Sequence, residues 1–367
     1  MQTSYKVLLI SAALATFSQT TLANSSTAVA LLDDYNLIVS NNATSSSEVD
    51  GNALVGGNLS GGNYHIHNTT QAVSSLTVGG NLANATINGT GLNVGGSVTG
   101  SVNMNGGGNA YVGSVSGTLQ NNANGNGNSY VVGNISGNVN TNGGHTYYGG
   151  SLTGNANGST HQAVSQPFSP AGAAASAAAT LTSFAGTLSG LSSNSSYNIT
   201  GNTAVFNAGT SGLSVFTISN ANSFFNSVSQ IQFNETNGAK DILINVINSN
   251  PSSVLNIGMN FLNSQATSLG VDILWNFENA GSIVVNNQFG GSLLAGNANV
   301  TTNQNIEGTL FANNLTQQAE IHSQPLDGGF ANITSSNSNS GSVPEPGVLE
   351  LLALGMLAAW YKSKRTI

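Results

Sequence analysis

The 367-residue chain contains no cysteine, 6 prolines and only 5 basic residues. Without cysteine there is no disulfide, no zinc–thiolate site and no thiol nucleophile. The basic residues are Lys6, Lys240, Lys362, Lys364 and Arg365, so the stretch 24–343 holds one Lys against 11 acidic residues, 1 − 11 = −10. A surface of that sign cannot neutralise a run of phosphates, which excludes nucleic acid as a partner and disfavours anionic lipid. Charged residues make up 5% of the chain, against about 25% in ordinary soluble domains. Asparagine (54 residues) and glycine (46) fill the gap. With 39% hydrophobic residues a core can form, but its polar surface must be Asn, Ser, Thr and Gln. The Gly-Gly pairs lack the Lys and helix start of a phosphate loop.

The two ends read as addresses. Lys6 precedes an apolar run from Val7 to Ala15, and Thr21-Leu22-Ala23 puts small residues at −3 and −1. That order predicts a secretory signal peptide over 1–23, cleaved between Ala23 and Asn24. At the other end a Ser/Asn-rich linker, 334–342, leads into Val343-Pro344-Glu345-Pro346. An apolar run from Gly347 to Tyr361 and the basic Lys362, Lys364 and Arg365 follow. The run is short for a span and contains Glu350, but the basic end suits a cytoplasmic anchor. This three-part tail, 343–367, resembles the PEP-CTERM sorting signal of Gram-negative bacteria. The resemblance implies a short transmembrane segment, transient inner-membrane insertion and processing by an exosortase. A plain retained anchor is the alternative.

Between 50 and 155 a pattern recurs: aliphatic, Gly or Gly-Gly, Asn or Ser, aliphatic, then Ser or Thr. Copies aligned on the second aliphatic residue fall at Leu59, Leu82, Val98, Val115, Ile135 and Leu152. Steps of this size predict coils of a parallel β-solenoid. Alternation then sends those six side chains inward and Ser60, Ala83, Thr99, Ser116, Ser136 and Thr153 outward. The glycines suggest corners with positive φ or bulges, and corner asparagines suggest hydrogen-bonded ladders. A β-sandwich is the competing arrangement.

Ser169-Pro170 is a helix start. Ala177, Leu181, Phe184, Leu188 and Leu191 form one stripe over about 170–190, with Gly190 near its end. A rod of that length matches five or six stacked coils. Beyond it, Ala204–Phe206, Val215–Ile218, Gln230–Phe233, Asp241–Val246 and Ile273–Phe277 predict strands. Gly291-Ser292-Leu293 and Gly308-Thr309-Leu310 bring the repeat back. The fold class expected is therefore all-β: a discontinuous parallel β-helix with one long α-helix along its side.

Residues 31–330 also resemble the choice-of-anchor A domain, which places the domain at 24–333. Asp34-Tyr35-Asn36-Leu37-Ile38-Val39, the Gly-Gly-Asn coils, Ile273-Leu274-Trp275-Asn276-Phe277 and Glu320-Ile321-His322 carry the likeness. It implies an adhesive module without catalysis. The order coils–helix–coils is similar to the solenoid of bacterial ice-binding proteins.

Chemistry-bearing clusters are few. His65 and His67 sit two apart, which on a strand places them on one side, but a metal needs a third ligand. Asp33, Asp34, Glu48 and Asp50 form the nearest approach to a calcium set. Glu320 and His322 form an acid–base pair without a nucleophile. No catalytic residue, cofactor-binding residue, metal ligand or cofactor is assigned. The expected function is a non-enzymatic surface or matrix protein, an adhesin in contact with exopolysaccharide or other matrix components. Ice binding is the alternative. A carbohydrate-active β-helix enzyme is a third reading, weakened because Lys240 is its one candidate base.

Overall fold

The computed structural model describes residues 25–67, 73–122, 127–209, 212–234, 239–326 and 328–333. The chain divides into two units, Met1–Ser335 and Ser336–Ile367. The first is a parallel β-solenoid whose coils each contribute segments to three sides.

The six expected interior residues do form one column. Leu59 is in register with Leu82 and Leu82 with Val98. Val98 pairs with Val115, which bridges Ile135, which bridges Leu152. Five of them are buried, and Leu152, in the last coil, is half-buried against the core. Alternation exposes Ser60, Thr99, Ser116, Ser136 and Thr153.

The chain does not climb the stack from one end to the other. Its first strand, Leu37–Val39, lies between Ala53–Val55 on one side and Leu310–Ala312 on the other. Residues 37–161 rise from that point. The chain then returns, and the coils after the long helix stack up to meet the first strand from below. The order along this side is Gly212–Ile218, Ala239–Ile247, Ile273–Glu278, Ser292–Thr302, Leu310–Gln317 and then Leu37–Val39. The lower core is filled by aromatic rings, among them Phe206, Phe233, Trp275 and Phe289. The upper core is aliphatic and turns polar near the top, where Thr141 Oγ1 bonds Ser129 Oγ and Thr146 Oγ1.

The long helix runs Pro170–Ser189, with Ser169 Oγ accepting from the Gly172 N–H. Its stripe, Ala174, Ala177, Leu181, Phe184 and Leu188, is buried. It covers outward-pointing apolar residues of both halves, Ile38 and Leu54 above the junction and Phe311, Leu294, Leu274 and Leu243 below it. One rod of about 30 Å thus fastens the two stacks together. Gly190 ends the helix with φ −77°, not in a left-handed cap. A helical segment at 25–34 packs into the same cluster through Ala28, Val29 and Leu32. It has no counterpart in the sequence reading; the strand expected at Ala204–Phe206 is present, as one arm of an antiparallel hairpin of Ser196–Thr200 with Thr203–Asn207.

The expected corners occur as a bulge where Gly95-Gly96 faces Gly113 and with positive φ at Gly291 and Gly308, but most Gly-Gly corners have a further reason. Gly56, Gly57, Gly79, Gly80, Gly95 and Gly96 are absent from the positive-φ positions. They are glycine because each corner stacks on the backbone of the coil below: a Cβ on Gly79 would stand 2.1 Å from the Gly56 carbonyl oxygen and 2.9 Å from Ala171 Cα.

The transmembrane reading is corrected. No helix among the described residues is long and apolar enough to cross a membrane. The long helix buries its one apolar stripe against the solenoid, and its other positions carry Ser, Thr, Ala and Gly. Inner-membrane insertion, and the exosortase partnership that depended on it, are set aside. The 334–342 linker, Val343, Pro344, Glu345, Pro346, Lys362, Lys364 and Arg365 lie outside the described residues, as do Ala23 and Asn24.

Candidate functional site: an uncharged polar face

The side opposite in character to the helix-covered one is polar and continuous across the junction of the two halves. Thr301 is in register with Thr316, Thr316 with Thr44, Thr44 with Ser60 and Ser60 with Ala83. Backbone bonds continue the row: the Thr99 N–H donates to Leu82 O, Ser116 to Val98 O, Ser136 to Val115 O and Thr153 to Ile135 O. Nine outward positions therefore follow one another at the strand spacing of about 4.8 Å. Eight are Ser or Thr, one is Ala, and none is charged. The sequence repeat reveals the upper six. Thr44, Thr316 and Thr301 join only because distant coils stack.

Beside this row runs an asparagine rail that fixes its pitch. Asn314 Oδ1 accepts from the Asn42 N–H at 3.1 Å, Asn42 Oδ1 from Asn58 at 2.9 Å and Asn58 Oδ1 from Asn81 at 2.8 Å. Asn81 Oδ1 then accepts from the Ser97 N–H at 2.8 Å. The Asn of each Gly-Gly-Asn corner thus satisfies a backbone donor that the turn leaves without a ladder partner. The expected ladders exist, largely as side chain to backbone. Side chain to side chain rungs run on another corner, where Asn105 Nδ2 donates to Asn88 Oδ1 and Asn122 Nδ2 to Asn105 Oδ1.

The titratable candidates are placed apart from this face. His65 and His67 do not share a strand side. The strand ends at Tyr64, and His65 takes φ 58°, which turns the chain. His65 Nδ1 meets Asn52 Oδ1 at 2.8 Å, and burial holds its pKa below the ordinary value. His67 Nδ1 instead pairs with Asp50 Oδ1 at 2.7 Å. His145 and His161 pack against Tyr147 and Tyr148. Among the described residues no group of three His, Asp or Glu is placed to hold a metal. Burial and the neighbouring Asp33 push the Asp34 carboxyl upward.

His322 sits between two carboxylates, Nδ1 at 2.9 Å from Glu307 and Nε2 at 3.0 Å from Glu320. Burial alone would lower its pKa, but the hydrogen bonds and charges of Glu307 and Glu320 outweigh that and raise it. Buried Glu307 also accepts from Gln288 Nε2 and Gln324 Nε2. Both ring nitrogens and both carboxylates are committed to each other, an arrangement that fastens neighbouring coils.

A family model described as "Putative Ice-binding-like adhesive domain" matches residues 28–129 and 107–323. No curated protein matches the chain. Among solved structures, the crystal structure of an ice binding protein from an Antarctic bacterium, Flavobacteriaceae, is similar at 10% identity and a TM-score of 0.26. The likeness covers 80% of this chain and 96% of that one. So low a score leaves the architecture to rest on its own strand register.

Proposed function

The chain belongs to the ice-binding-like adhesive domain family, and on that footing we propose that its uncharged Ser/Thr face binds ice. The protein is a non-enzymatic β-solenoid. The observation that carries the reading is the nine-position row from Thr301 through Thr44 to Thr153, backed from Asn314 to Ser97 by the asparagine rail. Hydroxyls and methyls in register on an uncharged surface suit ordered water, because no ionic hydration shell has to be stripped. Contact is multivalent, many weak rungs rather than one pocket. The test is ice-recrystallisation inhibition by the exported protein and by Thr44→Lys and Thr316→Lys. Inhibition by the wild type that either substitution abolishes supports the reading. Ice growth no slower than with an inert protein at equal concentration overturns it.

A second reading follows from Ala83 and the serines, which make the row less uniform than an all-Thr array. On it, the same face holds a hydrated solid or matrix surface, as an adhesin of a biofilm-forming cell. Retention on such a surface, lost in the same Lys variants without any effect on ice, favours this reading.

The export route follows the sequence. We read 1–23 as a signal peptide cut between Ala23 and Asn24, and 24–333 as the working domain of choice-of-anchor A type. Residues 334–342 then serve as a linker, and Val343-Pro344-Glu345-Pro346 with Lys362, Lys364 and Arg365 as a PEP-CTERM sorting tail. The protein would act outside a Gram-negative cell or on its surface. Mass spectrometry of the exported form tests the signal peptide: an intact Met1 refutes the cleavage.

A further inference from the structure

The top of the helix-covered side is left bare, because the helix begins at Pro170 beside the coils of Gly79 and Gly95 and does not reach those above. There the outward column continues from Thr77 to Asn93, Tyr111, Tyr130 and Tyr147. The three tyrosines stack: Tyr111 on Tyr130 with centroids 4.6 Å apart and planes 8° apart, Tyr130 on Tyr147 at 5.2 Å and 20°. Stacking hides the inner ring faces. Tyr111, at the foot of the ladder, is stacked on one side only. Its neighbour below is Asn93, too short to cover a phenol ring.

That gap is the end of a groove. Tyr111 and Asn109 line one part of it, Pro167 and Phe168 another, and Asn93 and Gly91 lie between them. Phe168 is 43% exposed, a large apolar ring left in water. Its segment is pinned by Gln166, whose Nε2 donates to Val94 O at 2.8 Å. Asn93 is 3% exposed. Its Nδ2 is spent on Ser74 Oγ at 2.7 Å, and its Oδ1 has no partner among the described residues. A buried amide oxygen without a donor is costly, and this one leaves an unspent acceptor on a residue that lines the groove. Exposed Asn109 adds a donor, its Nδ2, since its Oδ1 is occupied by the Asn128 N–H.

We propose that this groove between Tyr111 and Phe168 binds a neutral saccharide. Aromatic faces take the C–H face of a pyranose ring, and the two amides of Asn93 and Asn109 match hydroxyls. No charged side chain lines the groove among the described residues, and the −10 balance of 24–343 (1 − 11) repels polyanionic glycans. The site lies on a different side from the Ser/Thr row, so it does not rest on the ice-binding reading.

The test is calorimetric and NMR titration of the exported protein with neutral cello- and chito-oligosaccharides, with oligogalacturonate as the anionic comparison. Binding of a neutral oligosaccharide is expected, with Tyr111→Ala and Phe168→Ala each weakening it by about three- to tenfold. Tyr147→Ala, at the far end of the ladder, should leave the affinity unchanged. Phe168 is exposed, so its variant should melt like the wild type and keep the result interpretable. Ice-recrystallisation inhibition should be unaffected by either variant, which separates this site from the Ser/Thr face. Absence of binding across the neutral series, preference for oligogalacturonate, or affinity indifferent to both Tyr111→Ala and Phe168→Ala overturns the proposal.

Discussion

Asn36 donates its side-chain amide to the carbonyl oxygen of Gly308 at 2.9 Å, joining the first coil of the chain to one of its last. The same Nδ2 reaches His322 O at 3.0 Å, and Oδ1 accepts from the Gly51 N–H at 3.2 Å. Thr309 Oγ1 adds bonds to Leu32 O and Tyr35 O. The junction between the two stacks is therefore polar as well as apolar, with buried Asn36 and Thr309 both bonding across it.

Replacing Asn36 with Leu should cost about 2–4 kcal/mol, because at least one backbone donor or acceptor is left buried and unpaired. Denaturant melts would measure this. A loss below about 0.5 kcal/mol, within the range of an ordinary surface change, would show that the apolar register of Leu37 with Leu310 holds the junction alone.

Two glycine-to-alanine substitutions should have opposite signs. In Gly79→Ala the new methyl meets the Gly56 carbonyl oxygen at 2.1 Å, so the coils must separate, at a cost of about 1–3 kcal/mol. In Gly186→Ala nothing lies within 4 Å of the new carbon, and the helix gains about 0.5–1 kcal/mol. Thermal melts of the two variants check the pair. Equal shifts would contradict the corner-stacking account.

Stability should fall as pH rises through the titration of His322. Its folded pKa is raised above the ordinary 6.5 by Glu307 and Glu320. Its contribution is therefore complete below about pH 6.5 and lost as pH climbs through the folded value. Denaturant midpoints measured from mildly acid to mildly alkaline pH should decline, and His322→Gln should flatten that decline. A wild-type curve as flat as the variant's would remove His322 as the cause.

The repeat was readable because each coil repeats a local rule. Aliphatic residues point in, hydroxyls point out and a glycine marks the corner, so Leu59 through Leu152 declare their column. The helix was readable for the same reason, with Ser169, Pro170 and the Leu181–Leu188 stripe all local. Contacts between distant coils carry no such sign. Nothing near Leu37 says that Leu310 is its neighbour, so the lower third of the Ser/Thr row stayed invisible. The tyrosine ladder had a signal that went unread: Tyr111, Tyr130 and Tyr147 are spaced 19 and 17, matching the coil steps. The His65–His67 pairing failed because the strand ends one residue too early to present both rings together. The glycine corners were found for only part of their reason, since backbone crowding between coils leaves no trace in a single coil's sequence.

Ser25 Oγ donates to the carbonyl oxygen of Ile333 at 2.9 Å, so the two ends of the described domain meet at one spot beside the helices. A tether attached at either end pulls on the same corner of the molecule. Tension shared between the ends would bypass the stacked coils and pass through the cluster of Ala28, Leu32, Phe330 and Ile333. Load from a bound surface has the opposite fate. It enters through the Ser/Thr row, which the backbone ladders tie across successive coils, and reaches that corner only through the stack.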